Sequence, residues 1–315
     1  MTFTLVLFTY NQERVVAEAV KAVLLQQCSP IEILITDDCS NDKTFGIIQE
    51  IAETYKGPHK VILNRNDKNL GLLQHIDKAH KLSSGEVIIG AAGDDISHPN
   101  RCQKIIDCFK NESPLLVFSY ADVIDENGQE VNSSYSYQNA TLYKSTDIIE
   151  AARSTALYLG ATGAWHRDLY ERYGPIEEGA YEDLVLGFRA AMEGKFCVLD
   201  ESLVAYRLGF GINSKRPRYD TGENFSRKRL QDFKHTKAVF LQRRRDALTF
   251  GFLPQSTLIK VIDQDILISD IGIKYYAGNF SALWGVLISY PYLTLRCILK
   301  EYRNKIRNNK MNAAQ

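Results

Sequence analysis

The sequence predicts an α/β protein: a mostly parallel sheet flanked by helices, followed by a helical appendage at the C-terminal end. Three observations carry this expectation. Short apolar runs alternate with helical patterns through residues 1–120. Strand-like alternation stops near Asp220. Polar or acidic clusters stand directly behind the apolar runs, at Thr9, Tyr10 and Asn11, at Asp37 and Asp38, and at Asp94 and Asp95.

Taken in order, the strands are expected at 3–8, 32–36, 60–63, 86–91 and 115–120, each a short apolar run bounded by polar or turn residues. Helices are expected at 13–27, 43–55, 72–82 and 101–110, where apolar residues recur every three or four positions. Asp42 in "SNDKT" and Ser97 ahead of Pro99 stand where helix caps belong. This is a βαβ series. Beyond it, "ADVIDENGQEV" sets Asn127-Gly128 between two β-prone pieces and predicts a hairpin. A helix over 146–153, a "GATGAWHRDL" segment, a helix over 182–193 and two strands in "KFCVLD" and "LVAYRL" follow. The glycine-, proline- and charge-rich "GFGINSKRPRYDTGENFSRKR" reads as a mobile loop, a linker or a lid. The expected division is 1–215, with halves 1–120 and 121–215, and a helical region 216–315.

Composition narrows the function. Lysine plus arginine and aspartate plus glutamate both number 38, so no global charge points to nucleic acid. The six cysteines are far apart and form no C-x-x-C, which suits buried thiols in a reducing compartment better than a zinc site or disulfide framework. No basic stretch precedes the first apolar run, so the N-terminus reads as a strand rather than a leader, and Asn139-Ala140-Thr141 reads as a chance glycosylation triplet.

The acidic pairs carry the chemistry. In an open parallel sheet, ligands bind outside the carboxyl ends of the strands, where strand order reverses. Two carboxylates side by side at such a cleft repel each other unless a cation or a set of donors lies between them. Hard oxygen ligands select Mg2+ or Mn2+, which complete their shells with substrate phosphates. Asp94 and Asp95 therefore imply a nucleotide diphosphate with its metal.

The stretches "LVLFTYNQE", "EILITDDCSNDKT", "NDKNLGL", "SSGEVIIGAAGDDISHPNR" and "YEDLVLGFRAAMEG" resemble, in order and spacing, the inverting glycosyltransferases of family 2 with the GT-A fold, over roughly residues 2–208. The resemblance implies that Thr9, Tyr10 and Asn11 lie at the nucleotide, with Asp38 at the uracil ring and Asp37 beside it. It implies that Asp94 and Asp95 serve the ribose and the metal, either one being the metal ligand. The common family pattern is acid, small residue, acid, acid; this chain has Ala92 at the first position. Ile76 and Asp77 stand where many members carry arginine and asparagine, and "LGFGINS" stands where many carry a histidine. The resemblance makes Asp183 the base for the acceptor hydroxyl and Glu182 its neighbour. Arg207 would steady the departing diphosphate. Trp165 and His166 would fall in the acceptor region, where Trp165 either stacks on a sugar or fills the core.

No charged residue occurs from Tyr275 to Leu295; Arg296, Lys300, Arg303, Lys305, Arg307 and Lys310 follow, opposed only by Glu301. Such a segment, 275–310, suits an anionic membrane surface. The resulting expectation is a metal-dependent transferase on the cytoplasmic face of the cell membrane. It would move a sugar, with inversion, from a nucleotide diphosphate sugar to a hydroxyl of a lipid-linked glycan, in O-antigen, capsule or exopolysaccharide assembly. Asp38 favours UDP, and a thymidine nucleotide presents the same ring edge. The alternative is a non-catalytic nucleotide- or carbohydrate-binding module. A nucleotidyltransferase would need a glycine-rich basic loop in place of "FTYNQE", and a processive synthase a Q-x-x-R-W element that "LQRRRD" lacks.

Overall fold

A computed structural model describes residues 1–131, 140–209 and 222–313. Four strands, β1 (Phe3–Thr9), β2 (Glu32–Asp37), β3 (Lys60–Arg65) and β4 (Val87–Ala92), alternate with α1 (Val16–Leu24), α2 (Thr44–Glu53) and α3 (Leu72–Leu82). They pair in parallel in the order β3-β2-β1-β4. The chain builds outward from β1 through β2 to β3 and then returns to the other side of β1. Strand order therefore reverses at β1, and the carboxyl ends of β1 and β4 face a common crevice.

Both faces of these strands are covered, so they read as continuous apolar runs rather than alternating ones. On one face, Leu5, Leu7, Ile33, Ile35, Val87 and Ile89 pack against Val16, Val20 and Val23 of α1 and against α4 (Arg101–Glu112) through Ile105 and Phe109. Each Å² of apolar surface this layer removes from water contributes about 25 cal/mol to the stability of the fold.

Beyond β4 the sheet continues with β7 (Ala164–His166), β6 (Leu116–Ile124), β8 (Phe196–Arg207) and β5 (Ile96–Ser97). The short β7 runs antiparallel to both neighbours and β5 antiparallel to β8, so the sheet is mixed. Neither short strand was expected, because two or three residues present no periodicity. The strand expected at 115–120 runs on to Ile124, and the two expected in "KFCVLD" and "LVAYRL" are one. Exposed Asp200 and Glu201 interrupt the apolar pattern where the β6–β8 register shifts, so the break is a bulge within one strand rather than a loop. Asn127-Gly128 does form a turn: Gly128 has φ +82°, and the Asp125 carboxylate accepts the Asn127 and Gln129 N–H groups. Its return leg is described only through a bridge at Glu130 and as far as Val131.

The cap position of α2 is Lys43 rather than the expected Asp42, whose carboxylate, one residue earlier, accepts the Thr44 N–H. Ser97 does not cap α4; it lies in β5, and its hydroxyl accepts from the Arg101 guanidinium. The expected loop over 209–229 is shortened, because α8 (Gly222–Phe250) begins within it, while 210–221 lie outside the described residues.

The chain divides into two compact units. One takes Met1–Asp147, Ala156–Ile176 and Glu182–Lys215, and includes α6 (Asp168–Glu171) and α7 (Glu182–Glu193). The other takes Ile148–Thr155, Glu177–Tyr181 and Arg216–Gln315. This second unit is helical, with α5 (Ile148–Arg153), α8, α9 (Thr257–Tyr276), α10 (Phe280–Ser289) and α11 (Pro291–Ala313). Its core includes Val239, Phe240, Ala247, Leu258, Ile259 and Ile262. Buried Arg243 ties α8 to the end of α5 by donating to the carbonyls of Ala152 and Ser154.

Candidate active site

The loop after β1 is shaped by Asn11, whose φ of +51° is a left-handed conformation that asparagine tolerates better than most residues. Its N–H donates to Ser40 Oγ (2.8 Å), and its Oδ1 accepts the Asn41 N–H (2.9 Å). The loops after β1 and β2 are thus clipped together, leaving Tyr10 exposed and Thr9 buried. Thr9 donates to Asp37 Oδ2 (3.1 Å), and Asp37 also accepts the N–H and hydroxyl of Ser40. Asp37 is fully enclosed, and its carboxylate shapes the loop behind β2. Asp38 accepts from Asn66 Nδ2 (2.7 Å), Leu70 N–H (2.9 Å) and Gly71 N–H (2.9 Å). It ties the segment leading into α3 to the end of β2.

Asp94 and Asp95 form the turn behind β4. A Cβ built on Gly93 would lie 2.4 Å from Gln12 Oε1 and 2.7 Å from Thr9 Cγ2, so only glycine lets the β1 and β4 loops approach this closely. Gln12, which sequence reasoning did not single out, donates from Nε2 to Asp94 Oδ1 (3.0 Å). Asp95 Oδ1 accepts the backbone N–H of Arg207 (2.8 Å). Among the described residues, nothing is hydrogen-bonded to Oδ2 of either acid. Burial pushes the Asp94 carboxyl above its ordinary range, against the pull of Arg207. Burial raises Asp95 well above its range, and the charge of Asp94 adds to the effect.

Two buried arginines flank the pair. Arg207, 1% exposed, donates from Nε to the Asp94 carbonyl (2.9 Å) and from Nη2 to Glu18 (2.8 Å), with a further bond to the Glu126 carbonyl (3.2 Å). Its guanidinium is committed to protein acceptors. Arg207 thus positions the acidic turn.

Fully buried Arg101, the first residue of α4, donates to the carbonyls of Gly90 (2.6 Å) and Ala161 (3.1 Å) and to Ser97 Oγ (2.9 Å). Its Nε has no partner. It joins β4, β5 and the 3₁₀ turn Gly160–Thr162. The sequence signal was an arginine two residues after Pro99 at a helix start beside the acid pair.

That 3₁₀ turn abuts the start of α7. A Cβ on Gly160 would lie 2.9 Å from Glu182 Oε1 and 3.4 Å from Asp183 Cβ. Glu182 and Asp183 occupy the first turn of α7, where the helix dipole favours acids, and Asp183 Oδ1 accepts the Leu184 N–H (2.7 Å). Burial raises the Glu182 carboxyl. The Tyr158 hydroxyl is raised well above its usual value by burial and then by the charges of Asp183 and Glu182.

Trp165 is 4% exposed, and its indole N–H donates to His80 Nε2 (3.0 Å). Of the two roles left open for it, the structure selects core packing, because β7 carries it into the sheet interior and leaves no face for a sugar. His80 in turn lies against Tyr170 (4.3 Å between rings), and burial with the nearby Arg167 lowers its pKa to about 4. His166 is half-buried beside Asp168.

The fit of a divalent ion can be tested on the donor set. Asp94 and Asp95 offer two hard carboxylate oxygens without protein partners, raised in pKa by burial and, for Asp95, also by the charge of Asp94. A cation relieves both causes. No third acid, histidine or cysteine among the described residues joins them within ligand distance. That suits an ion whose remaining ligands are water and substrate oxygens, and the residues fit.

The family model "Glycosyl transferase family 2" matches residues 4–174, more than half of the chain. The chain belongs to glycosyltransferase family 2. An uncharacterized glycosyltransferase of Nostoc sp. is 26% identical over 213 residues, covering 66% of this chain and 65% of the relative. The chain thus matches just under two thirds of that protein's length. Among solved structures, S. aureus TarS 1-349 in complex with UDP-GlcNAc is similar with a TM-score of 0.58 at 17% identity, covering 94% of this chain and 79% of that one. Mannosyltransferase PcManGT from Pyrobaculum calidifontis, in complex with GDP-Man and Mn2+, has a TM-score of 0.55 at 14% identity, covering 96% and 87%. At these identities the likeness shows the GT-A fold of the family.

Proposed function

We propose that this family 2 protein is an inverting glycosyltransferase that moves a sugar from a nucleotide diphosphate sugar, UDP-linked, to a hydroxyl of a glycan acceptor. The observation that carries the reading is the buried Asp94–Asp95 pair at the switch point, each acid with one oxygen held by the protein and one unclaimed. Residues 1–120 form the donor half, with the base against Tyr10, Asn11 and Asp38. Residues 121–215 form the acceptor half. Mn2+ or Mg2+ at Asp94 and Asp95 would neutralise charge building on the departing diphosphate. The TarS complex with UDP-GlcNAc and the PcManGT complex with GDP-Man and Mn2+ support a nucleotide-sugar donor and a divalent ion.

On the acceptor side, Asp183 takes the proton from the acceptor hydroxyl as that oxygen attacks the anomeric carbon opposite the leaving group, which inverts its configuration. Glu182, whose carboxyl is raised by burial, stands beside Asp183 in the same helical turn and lines the acceptor side. Arg101 and Arg207 hold the acid turn in place while charge develops.

The acceptor is lipid-linked, and the protein works at the cytoplasmic face of the membrane in surface-polysaccharide assembly. Among the described residues no helix is long and apolar enough to cross a membrane. However, α10 and α11 expose Phe280, Trp284, Ile288, Tyr292 (77%), Leu295 and Leu299. Exposed Arg296, Lys300, Arg303 and Arg307 accompany them, whereas Glu301 is buried against Arg229 (2.9 Å) and Tyr276 (2.9 Å) and offsets none of that surface charge. Aromatic and aliphatic residues interleaved with unopposed cations match an anionic bilayer surface.

Calorimetry of UDP with and without Mn2+, on the wild type and Asp94→Asn/Asp95→Asn, tests the donor site. Mn2+-dependent binding lost in the variant is expected, and binding indifferent to both would overturn it. UDP release from a UDP-sugar in the presence of an acceptor separates catalysis from a binding module. Flotation with anionic vesicles, lost in Trp284→Glu/Ile288→Glu, tests the membrane surface. A wild type that stays with the soluble fraction would remove that part of the reading.

A further inference from the structure

We propose that Cys108, Glu112 and Cys197 form a site for a thiophilic divalent cation of the zinc class that staples α4 to β8. The site is independent of Asp94 and Asp95 and of the activity proposed above. The two thiol sulfurs and a Glu112 carboxylate oxygen lie within 4.8 Å of one another, the one such triad of His, Cys, Asp or Glu among the described residues. Tetrahedral zinc, with sulfur at about 2.3 Å and oxygen at about 2.0–2.2 Å, sets ligand atoms roughly 3.6–3.8 Å apart. Closing onto an ion thus requires movements of about 1 Å or less, within the reach of side-chain rotation.

The backbone explains why the three groups meet. Cys108 and Glu112 are four residues apart on α4 and therefore share one helical face. One turn earlier on that face, Lys104 pairs with Glu201 of β8 (2.7 Å). Moving four residues along each element, in opposite directions, brings Cys108 to Cys197. Cys197 is fixed in the sheet by pairing with Val117 of β6. The face of α4 is thus already aligned on β8, and the triad is the next contact along the seam.

The chemistry selects the ion. Two sulfurs favour zinc over the hard Mg2+ and Mn2+ suited to a carboxylate pair. Cys108 is buried, Cys197 half-buried and Glu112 exposed, which leaves solvent a path to a fourth ligand position. An ion here would anchor the two elements that carry Arg101 and Arg207, the arginines flanking the acid turn. A structural role fits this placement.

The test uses the full chain without an affinity tag, purified with a non-chelating phosphine reductant and stripped of metal. Competition of Zn2+ against a chromophoric chelator is expected to show one tight equivalent. Co2+ is expected to give sulfur-to-cobalt charge-transfer absorption and the visible bands of a tetrahedral site, which a carboxylate pair cannot produce. Both signals should vanish in Cys197→Ser. Zn2+ affinity should fall at least tenfold in Glu112→Gln, whose exposed side chain makes a folding failure an inadequate explanation. Zn2+, but not Mg2+, should raise the thermal midpoint of the wild type and not of Cys197→Ser. The proposal is overturned by absence of a stoichiometric zinc equivalent, by cobalt bands that survive Cys197→Ser, or by thiol counts showing Cys108 and Cys197 already joined as a disulfide.

Discussion

Replacing Arg101 with methionine keeps the length and apolar stem of the side chain and deletes the charge and its donors. Three acceptors lose their partner: the Gly90 carbonyl at 2.6 Å, Ser97 Oγ at 2.9 Å and the Ala161 carbonyl at 3.1 Å. Hydrogen bonds from a charged donor contribute about 1.5–3 kcal/mol each, so the three together contribute about 5–9 kcal/mol. Against this stands the cost of burying a guanidinium. Burial pulls its pKa from 12.5 to about 10, which at about 1.4 kcal/mol per tenfold costs roughly 3 kcal/mol. The difference predicts that Arg101→Met is destabilised by about 2–6 kcal/mol, comparable to breaking a buried ion pair from one side. Urea unfolding followed by tryptophan fluorescence measures it. Because Arg101 also links β4 to the 3₁₀ turn beside Glu182, Mn2+-dependent UDP affinity and turnover should both fall in the folded variant. A variant within 0.5 kcal/mol of the wild type (about the scatter of surface substitutions), or one of unchanged turnover, would refute the assignment of Arg101 as the link between the two acid pairs.

The acid pair predicts a pH dependence whose sign follows from its burial. Asp94 and Asp95 have folded pKa values above their unfolded ones. Their contribution to stability is therefore present below about pH 4, the ordinary carboxylate value, and is lost as pH rises through the raised values. In chelator at pH 8, Asp95→Asn should raise the thermal midpoint while abolishing Mn2+-dependent UDP binding; near pH 4 the midpoints should converge, and scanning calorimetry at both pH values checks this. Asp183→Asn should lower kcat by about 10²–10⁴-fold, the usual contribution of a positioned base, with an unchanged Kd for UDP. Steady-state kinetics beside calorimetry separates the two. Gly160→Ala should displace the Glu182 carboxylate, the flexible group 2.9 Å from the new methyl. It should cost less than about 1 kcal/mol of stability, because the displaced atom is a side-chain end. Acceptor KM should rise more than donor KM, which initial-rate measurements in both substrates resolve.

The βαβ series was legible because each strand is an uninterrupted apolar run and each helix repeats every three or four residues. Leu72–Leu82 was delimited to the residue. The polar clusters behind β1, β2 and β4 were legible because parallel topology leaves strand ends as the one place a buried run meets solvent. What escaped were elements without a period of their own. β5 and β7 exist because neighbouring strands offer unpaired edges, and the 196–207 strand was split because a bulge and a loop look alike in one dimension. Trp165 belongs to the same class: its burial follows from β7 lying between β4 and β6.

The sequence by itself determined the layer architecture, the family, the acid pair at the switch point and the apolar-basic tail, since each is a local pattern of residue types. Only the tertiary structure decided how the acids divide their work. Asp37 and Asp94 stand alike behind apolar strands, yet one carboxylate is enclosed by Thr9 and Ser40 while the other keeps an unclaimed oxygen. Gln12 and Arg101 became part of the site through hydrogen bonds to groups 82 and 11 positions away, and Arg207 was fixed beside the acids by one to a group 113 positions away. The physical reason is that a carboxylate's chemistry is set by the donors and the dielectric around it, and both are assembled by long-range packing that no local pattern encodes.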